Sequence, residues 1–140
     1  ILGNDLEKEI LGFCKKLGME NTTFFPGPKV TKNYASGHIE SNPIKGDFKI
    51  FPAFAAGAMC TTKDMHNYLA HLGKSYKETN SVISHDVAVE QLHGADLGSV
   101  EFMSASMGQG IFTIEAGDNK FMLHQGANDG FRAIFLHCFV

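Results

Sequence analysis

Residues 121–137 read FMLHQGANDGFRAIFLH, and His124-Gln125-Gly126-Ala127 stands at the end of the first of its two apolar runs. A plain hairpin needs a tight turn here, but it has no need of a His-x-Gly on the strand leading in. A glycine within a strand lets another backbone or a ligand come close. With Gly126 in that role, the Ala127 N–H at the strand end is placed to serve as an oxyanion donor, a preorganised dipole for a tetrahedral intermediate. His124 and Gln125 then stand at a cleft wall with polar groups aimed at a substrate. The spacing equally allows a strand whose end is simply polar, because His-x-Gly is a short motif.

Other groups are less suited to chemistry. Tyr34-Ala35-Ser36 pairs a tyrosine with a serine, yet it lies in a Gly- and Pro-punctuated loop, where a tyrosine more often anchors onto the core. His38, His66, His71, His85, His93 and His137 show no ligand spacing, and His66 and His71, five apart, miss the i,i+4 face of a helical metal pair. Cys14, Cys60 and Cys138 are an odd set without C-x-x-C, which argues for free thiols and against a disulfide framework or zinc site. No G-x-S-x-G, S-x-x-K, phosphate loop or H-E-x-x-H occurs. Ser75-Tyr76-Lys77 misses the S-x-x-K spacing by one residue.

The elements that must position these residues follow from pattern. A chain of 140 residues with 44% hydrophobic content fits one domain with a core. A formal charge of −3 and interspersed signs argue against nucleic acid and against a polybasic anchor. Nothing approaches the roughly 18 consecutive apolar residues of a membrane span. Leu6, Ile10, Phe13 and Leu17 predict an amphipathic helix over 5–17, with Asn4 and Glu7 at its start and Gly18 at its stop. Residues 19–52 show no period and read as irregular.

A second helix begins at Thr61 or Thr62, with Asp64 in its first turn, a Met65-Tyr68-Leu69-Leu72 stripe and Gly73 as its end. A third runs from Ser84 to about Leu92, before Gly94. After Gly108, three apolar runs separated by turns at 117–119 and 127–130 predict antiparallel strands. The expected class is α+β: a helical and irregular region over 1–105, then a three-stranded antiparallel meander over 108–140. The last strand, Phe131–Val140, is apolar on both faces and so expects burial on both. Left as an open edge, it pairs with another chain.

Four segments, in order, resemble the serine β-lactamase and penicillin-binding-protein-like hydrolases. LGMENTTF (17–24) resembles their LGM-x-x-T-x-F signature. YASGHIES resembles the A-x-G-Y stretch, with His38 in place of the tyrosine. PAFAAGAMCTTKDMHNYLAHLG (52–73) is similar to P-x-x-x-A-G-G-L-x-S-T-x-x-D-M and its helix, with Ala58 for the second glycine. MGQGIFTIEAGDNKFMLHQGANDGFRAIF (107–135) resembles the G-x-G-W strand, its hairpin and the H-x-G-x-x-x-G-F box.

The resemblance implies acyl transfer by a serine hydrolase, with neither cofactor nor metal. A serine attacks a lactam, D-Ala peptide or ester carbonyl, and water later releases the acyl-enzyme. On this pattern His124, Gln125, Gly126 and Asn128 face the substrate, and Ala127 supplies one oxyanion-hole N–H. The family's S-x-x-K and Y-x-N motifs precede LGM and have no counterpart here. Tyr34-Ala35-Ser36 mimics the second but stands on the wrong side of LGM. The chain, from Ile1 to Val140, therefore reads as a C-terminal portion of a longer hydrolase, inert alone. Its partners would be a small-molecule or peptide substrate, and either its missing N-terminal half or another copy of itself. Two alternatives are a non-catalytic binder of peptidoglycan-like peptides and a self-standing structural domain. The compartment implied by the resemblance is periplasmic or extracellular.

Overall fold

The computed structural model describes residues 5–25, 34–44, 53–79, 81–93, 99–100 and 105–140. The chain divides into two compact units, residues 1–65 with 126–133, and residues 66–125 with 134–140.

In the first unit, helix α1 (Leu6–Lys16) starts at Asp5, whose side chain accepts the Lys8 N–H at 3.5 Å. Glu7 and Glu9 in its first turn and Lys15 and Lys16 in its last complement the helix dipole. The expected cap, Asn4, lies outside the described residues. The helix ends in a left-handed turn: Gly18 has φ 74, its N–H reaches Lys15 O, and the Met19 N–H reaches Cys14 O at 2.9 Å. That is the double hydrogen bond of a Schellman stop, in which the residue after the glycine folds back on the last turn. The fold-back corrects the predicted stripe. Cys14 and Leu17 are the buried residues, and Leu6 and Phe13 stay exposed.

Residues 19–52 are not wholly irregular. Strands β1 (His38–Ile39) and β2 (Asn42–Pro43) pair antiparallel across Glu40 and Ser41, both at positive φ. A two-residue turn with two left-handed residues matches strand twist, but its usual Asn-Gly signal is absent from the sequence. A single turn of helix, α2 (Ala53–Ala56), follows.

Helix α3 (Thr62–Lys77) begins where predicted, with Thr61 Oγ1 accepting the Asp64 N–H at 3.1 Å. It does not stop at Gly73. A Cβ there would lie 3.2 Å from the Phe139 Cβ, so this glycine lets a strand pack closely against the helix in the second unit. The helix ends four residues later. There Ser75 Oγ, fully buried, donates to His71 O, and its hydroxyl also meets Ser81 Oγ at 2.5 Å. The His85 Nδ1–H donates to Ser75 O at 3.0 Å, tying in α4 (His85–His93).

The sheet has five strands in chain order: β3 (Ser99–Val100), β4 (Ala105–Met107), β5 (Phe112–Ala116), β6 (Asn119–Asn128) and β7 (Phe131–Cys138). The three predicted strands are present. The short β3 and β4, with two and three residues, show no readable period and extend the meander at its front. β6 continues to Asn128, and the second turn shrinks to Asp129-Gly130. Leu69, Leu72, Ala88, Leu92, Ala105, Ile111 and Met122 form the core of this unit.

On β7, Phe135 and His137 are half-buried and Phe139, just beyond it, is buried. Ile134 (72% exposed) and Leu136 (61%) point outward, so this apolar strand is covered on one face only. Among the described residues no helix is long and apolar enough to cross a membrane.

The α4 end is seated by Gly108. The Gln109 N–H donates to Gln91 O, and a Cβ at 108 would come 2.2 Å from that oxygen. Gly108→Ala is therefore expected to destabilise the chain by about 1–3 kcal/mol, the range for overpacking a close contact. A lower urea midpoint measures it, and an unchanged midpoint would mean that α4 shifts at no cost.

Candidate functional site

The predicted residues lie consecutively on β6. His124 is half-buried between two rings, with its centroid 6.0 Å from Phe112 and 6.2 Å from Phe135, the latter nearly parallel at 27°. Gln125 is exposed. These two belong to the second unit, and Gly126, Ala127 and Asn128 to the first.

Gly126 and Ala127 are exposed, and a Cβ built at Gly126 meets nothing within 4 Å. Asn128 is half-buried and already engaged, its Nδ2 donating to Ala56 O at 3.0 Å. That bond fixes the strand end to the last residue of α2.

The turn that follows is held on two more sides. Gly130 has φ 75, its carbonyl accepts the His38 N–H at 3.0 Å, and a Cβ on it would meet the His38 nitrogen at 2.8 Å. Gly37 lies beneath the Phe131 ring, where a Cβ would stand 2.4 Å from a ring carbon. Arg132 Nη1 donates to Asn128 O and Phe131 O at 2.9 and 2.7 Å, closing the turn over itself. The A-S-G-H and A-N-D-G-F segments thus interlock, and together they immobilise the chain just after Gly126-Ala127.

The other two signature segments form a second joint in the same unit. Thr23 and Met59 exchange backbone hydrogen bonds at 2.9 and 2.8 Å as an isolated bridge. Asp64, 1% exposed, accepts the Asn21 N–H at 2.7 Å and the Thr22 hydroxyl at 2.9 Å. Burial pushes its carboxyl upward, but the hydrogen bonds from Thr22, Asn21 and Thr61 outweigh that and hold it below the usual carboxylate range. Phe24 and Phe25 pack on Phe54 at centroid distances of 5.1 and 5.6 Å. Sequence reasoning placed Asp64 only as a first-turn acid. The signal that finds its role is a carboxylate three residues after a capping threonine, on a face that the helix must bury.

The remaining sequence candidates do not converge on β6. Tyr34 and Ser36 are exposed, and the Ser36 carbonyl accepts from His38 Nδ1 at 2.9 Å. The three cysteines are free; Cys14 is buried and Cys60 exposed, and desolvation by their surroundings raises both thiols, which disfavours thiolate chemistry. Among the described residues no group of three or more His, Cys, Asp or Glu is arranged to hold a metal ion.

No protein-family model matches the sequence, and no curated protein sequence matches it either. Solved structures do. A class C β-lactamase superposes with a TM-score of 0.75 at 18% identity, over 99% of this chain and 44% of the other. A mutant of a class C β-lactamase gives a TM-score of 0.74 at 18% identity, over 99% of this chain and 45% of the other. The chain therefore has the fold of part of a class C β-lactamase and spans less than half the length of those enzymes.

Proposed function

We propose that this chain forms the C-terminal portion of a β-lactamase-related serine hydrolase, in which β6 lines the acyl-binding side of the site. The observation that carries the reading is Gly126. A glycine inside a strand costs stability, so a position that keeps one usually needs its special backbone or its missing side chain. Gly126 has no positive φ and no neighbour that a Cβ would strike. Among the described residues only Gly12, in α1, shares that lack of an internal reason. On a strand this calls for an external one, and an acyl group lying alongside β6 supplies it.

In this reading the nucleophilic serine comes from the part of the fold outside these 140 residues. As it attacks a lactam, D-Ala peptide or ester carbonyl, the Ala127 N–H donates to the developing oxyanion. That donation is worth most where the donor is already fixed. The Asn128–Ala56 bond and the Gly130–His38 bond supply that fixing. His124, held between Phe112 and Phe135, acts as a set wall, and Gln125 is free to meet the substrate's polar groups. The exposed Ile134 and Leu136 on the edge strand fit a face that the remainder of the hydrolase covers. In a second reading the same strand binds peptidoglycan-like peptides without turnover, and a lack of S-x-x-K and Y-x-N upstream of these 140 residues is what distinguishes it.

The pure 140-residue chain is expected to leave a chromogenic lactam and a short-chain ester unhydrolysed. Expressed with the segment that precedes it in its own gene, it should be acylated on a serine of that segment by a fluorescent penicillin or a fluorophosphonate. Saturable, reversible ligand binding with no label would support the binding reading. Turnover by the 140 residues alone, abolished by a serine-directed inhibitor, would place the nucleophile within them.

A further inference from the structure

The close approach that Gly73 permits has a chemical consequence in the second unit. His66, two helical turns before Gly73 on the same face of α3, meets His137 of β7, with ring centroids 6.1 Å apart and planes at 65°. A Cβ built at Gly73 would stand 3.9 Å from His137 Nε2, so the imidazole lies along the helix surface. His66 is exposed and His137 half-buried.

We propose that His66 and His137 form a two-imidazole site for a borderline divalent transition ion, zinc, nickel or copper, completed by water. Imidazole nitrogen is the donor these ions share, and a metal–nitrogen bond is about 2.0–2.1 Å for zinc. Adding the roughly 1.1 Å from a ring nitrogen to its centre puts each centroid about 3 Å from the ion. At a tetrahedral angle two such rings stand about 5 Å apart, so the 6.1 Å pair must close by about 1 Å, which side-chain rotation supplies. Neutral imidazole is the form that ligates, so metal and protons compete for the same ring nitrogens. The site is independent of the hydrolase reading and shares no residue with β6.

Isothermal titration of the 140-residue chain with zinc chloride, in a buffer that does not chelate, tests the assignment. One saturable ion per chain is expected. His66→Ala, at an exposed position that leaves folding intact, and His137→Ala should each weaken binding at least about tenfold, the lower end of the loss when even an outer-shell partner is removed. His71→Ala, on the same helix, should leave it unchanged. Affinity should fall as the pH is lowered and protons compete for the imidazole nitrogens. Binding that survives His66→Ala would overturn the site and point to Cys60 or Cys138. One ion per two chains would overturn it in favour of a bridge between copies, and the absence of any saturable binding would overturn it outright.

Discussion

Asp64→Ala is expected to cost about 3–5 kcal/mol, much of the roughly 5–15 kcal/mol that stabilises a whole domain. The carboxylate is 1% exposed and receives the Asn21 N–H at 2.7 Å and the Thr22 hydroxyl at 2.9 Å. Hydrogen bonds to a charged group contribute about 1.5–3 kcal/mol each, and truncation leaves buried donors without an acceptor. The loss reaches beyond α3, because the same joint holds the Thr23–Met59 bridge and the loop after α1. Urea unfolding measures the total, and hydrogen exchange at the Asn21 and Thr23 amides localises it. Thr22→Val removes one donor with its acceptor still satisfied by Asn21, so it should cost less, about 1.5–3 kcal/mol. Equal losses for the two variants would mean that the carboxylate is not the centre of the joint.

The pH dependence follows with a fixed sign. The folded-state pKa of Asp64 lies below its unfolded value of about 3.9. Its contribution is present above pH 4 and disappears as pH falls through the folded value. Asp64→Asn should therefore flatten the stability curve below pH 4 and lower it at pH 7. A wild-type curve already flat between pH 5 and pH 2 would exclude the ionised form.

That joint explains what was legible in the sequence. LGM is readable because its three residues act in three different ways: Leu17 is buried, Gly18 takes positive φ and Met19 closes the turn. Thr61 and Asp64 are readable as a helix start for the same local reason. The three long strands showed themselves through period and turns. What stayed hidden depends on distant residues. Gly73 reads as a stop by local propensity, and only the proximity of Phe139 reveals it as a packing position. The β1–β2 hairpin is silent because Glu40 and Ser41 take left-handed conformations without the usual turn residues. At the site, the bond from the Asn128 amide to Ala56, seventy-two residues earlier in the chain, is one that no local pattern shows. The recognisable signatures are largely joints of the scaffold, which is why they carry the fold further than the chemistry.

Gly126→Val separates scaffold from chemistry, because the two respond in opposite directions. Nothing lies within 4 Å of a Cβ at 126, and the residue sits in a strand that favours β-branched side chains. Removing a strand glycine should raise stability by about 0.5–1 kcal/mol. In the proposed longer hydrolase, the isopropyl group would occupy the space required by the acyl group and hold its carbonyl off the Ala127 N–H. Losing one oxyanion donor costs about 10²- to 10³-fold in turnover. Gln125→Ala removes one exposed side-chain contact, worth about 0.5–1.5 kcal/mol, so kcat/KM should fall about tenfold at most. Thermal unfolding of the 140-residue chain tests the first half and steady-state kinetics of the longer protein the second. A Gly126→Val variant that is less stable would show an internal need for the glycine and remove the main support for a ligand beside β6. A variant that is more stable and fully active would keep the fold and move the oxyanion donor to another strand.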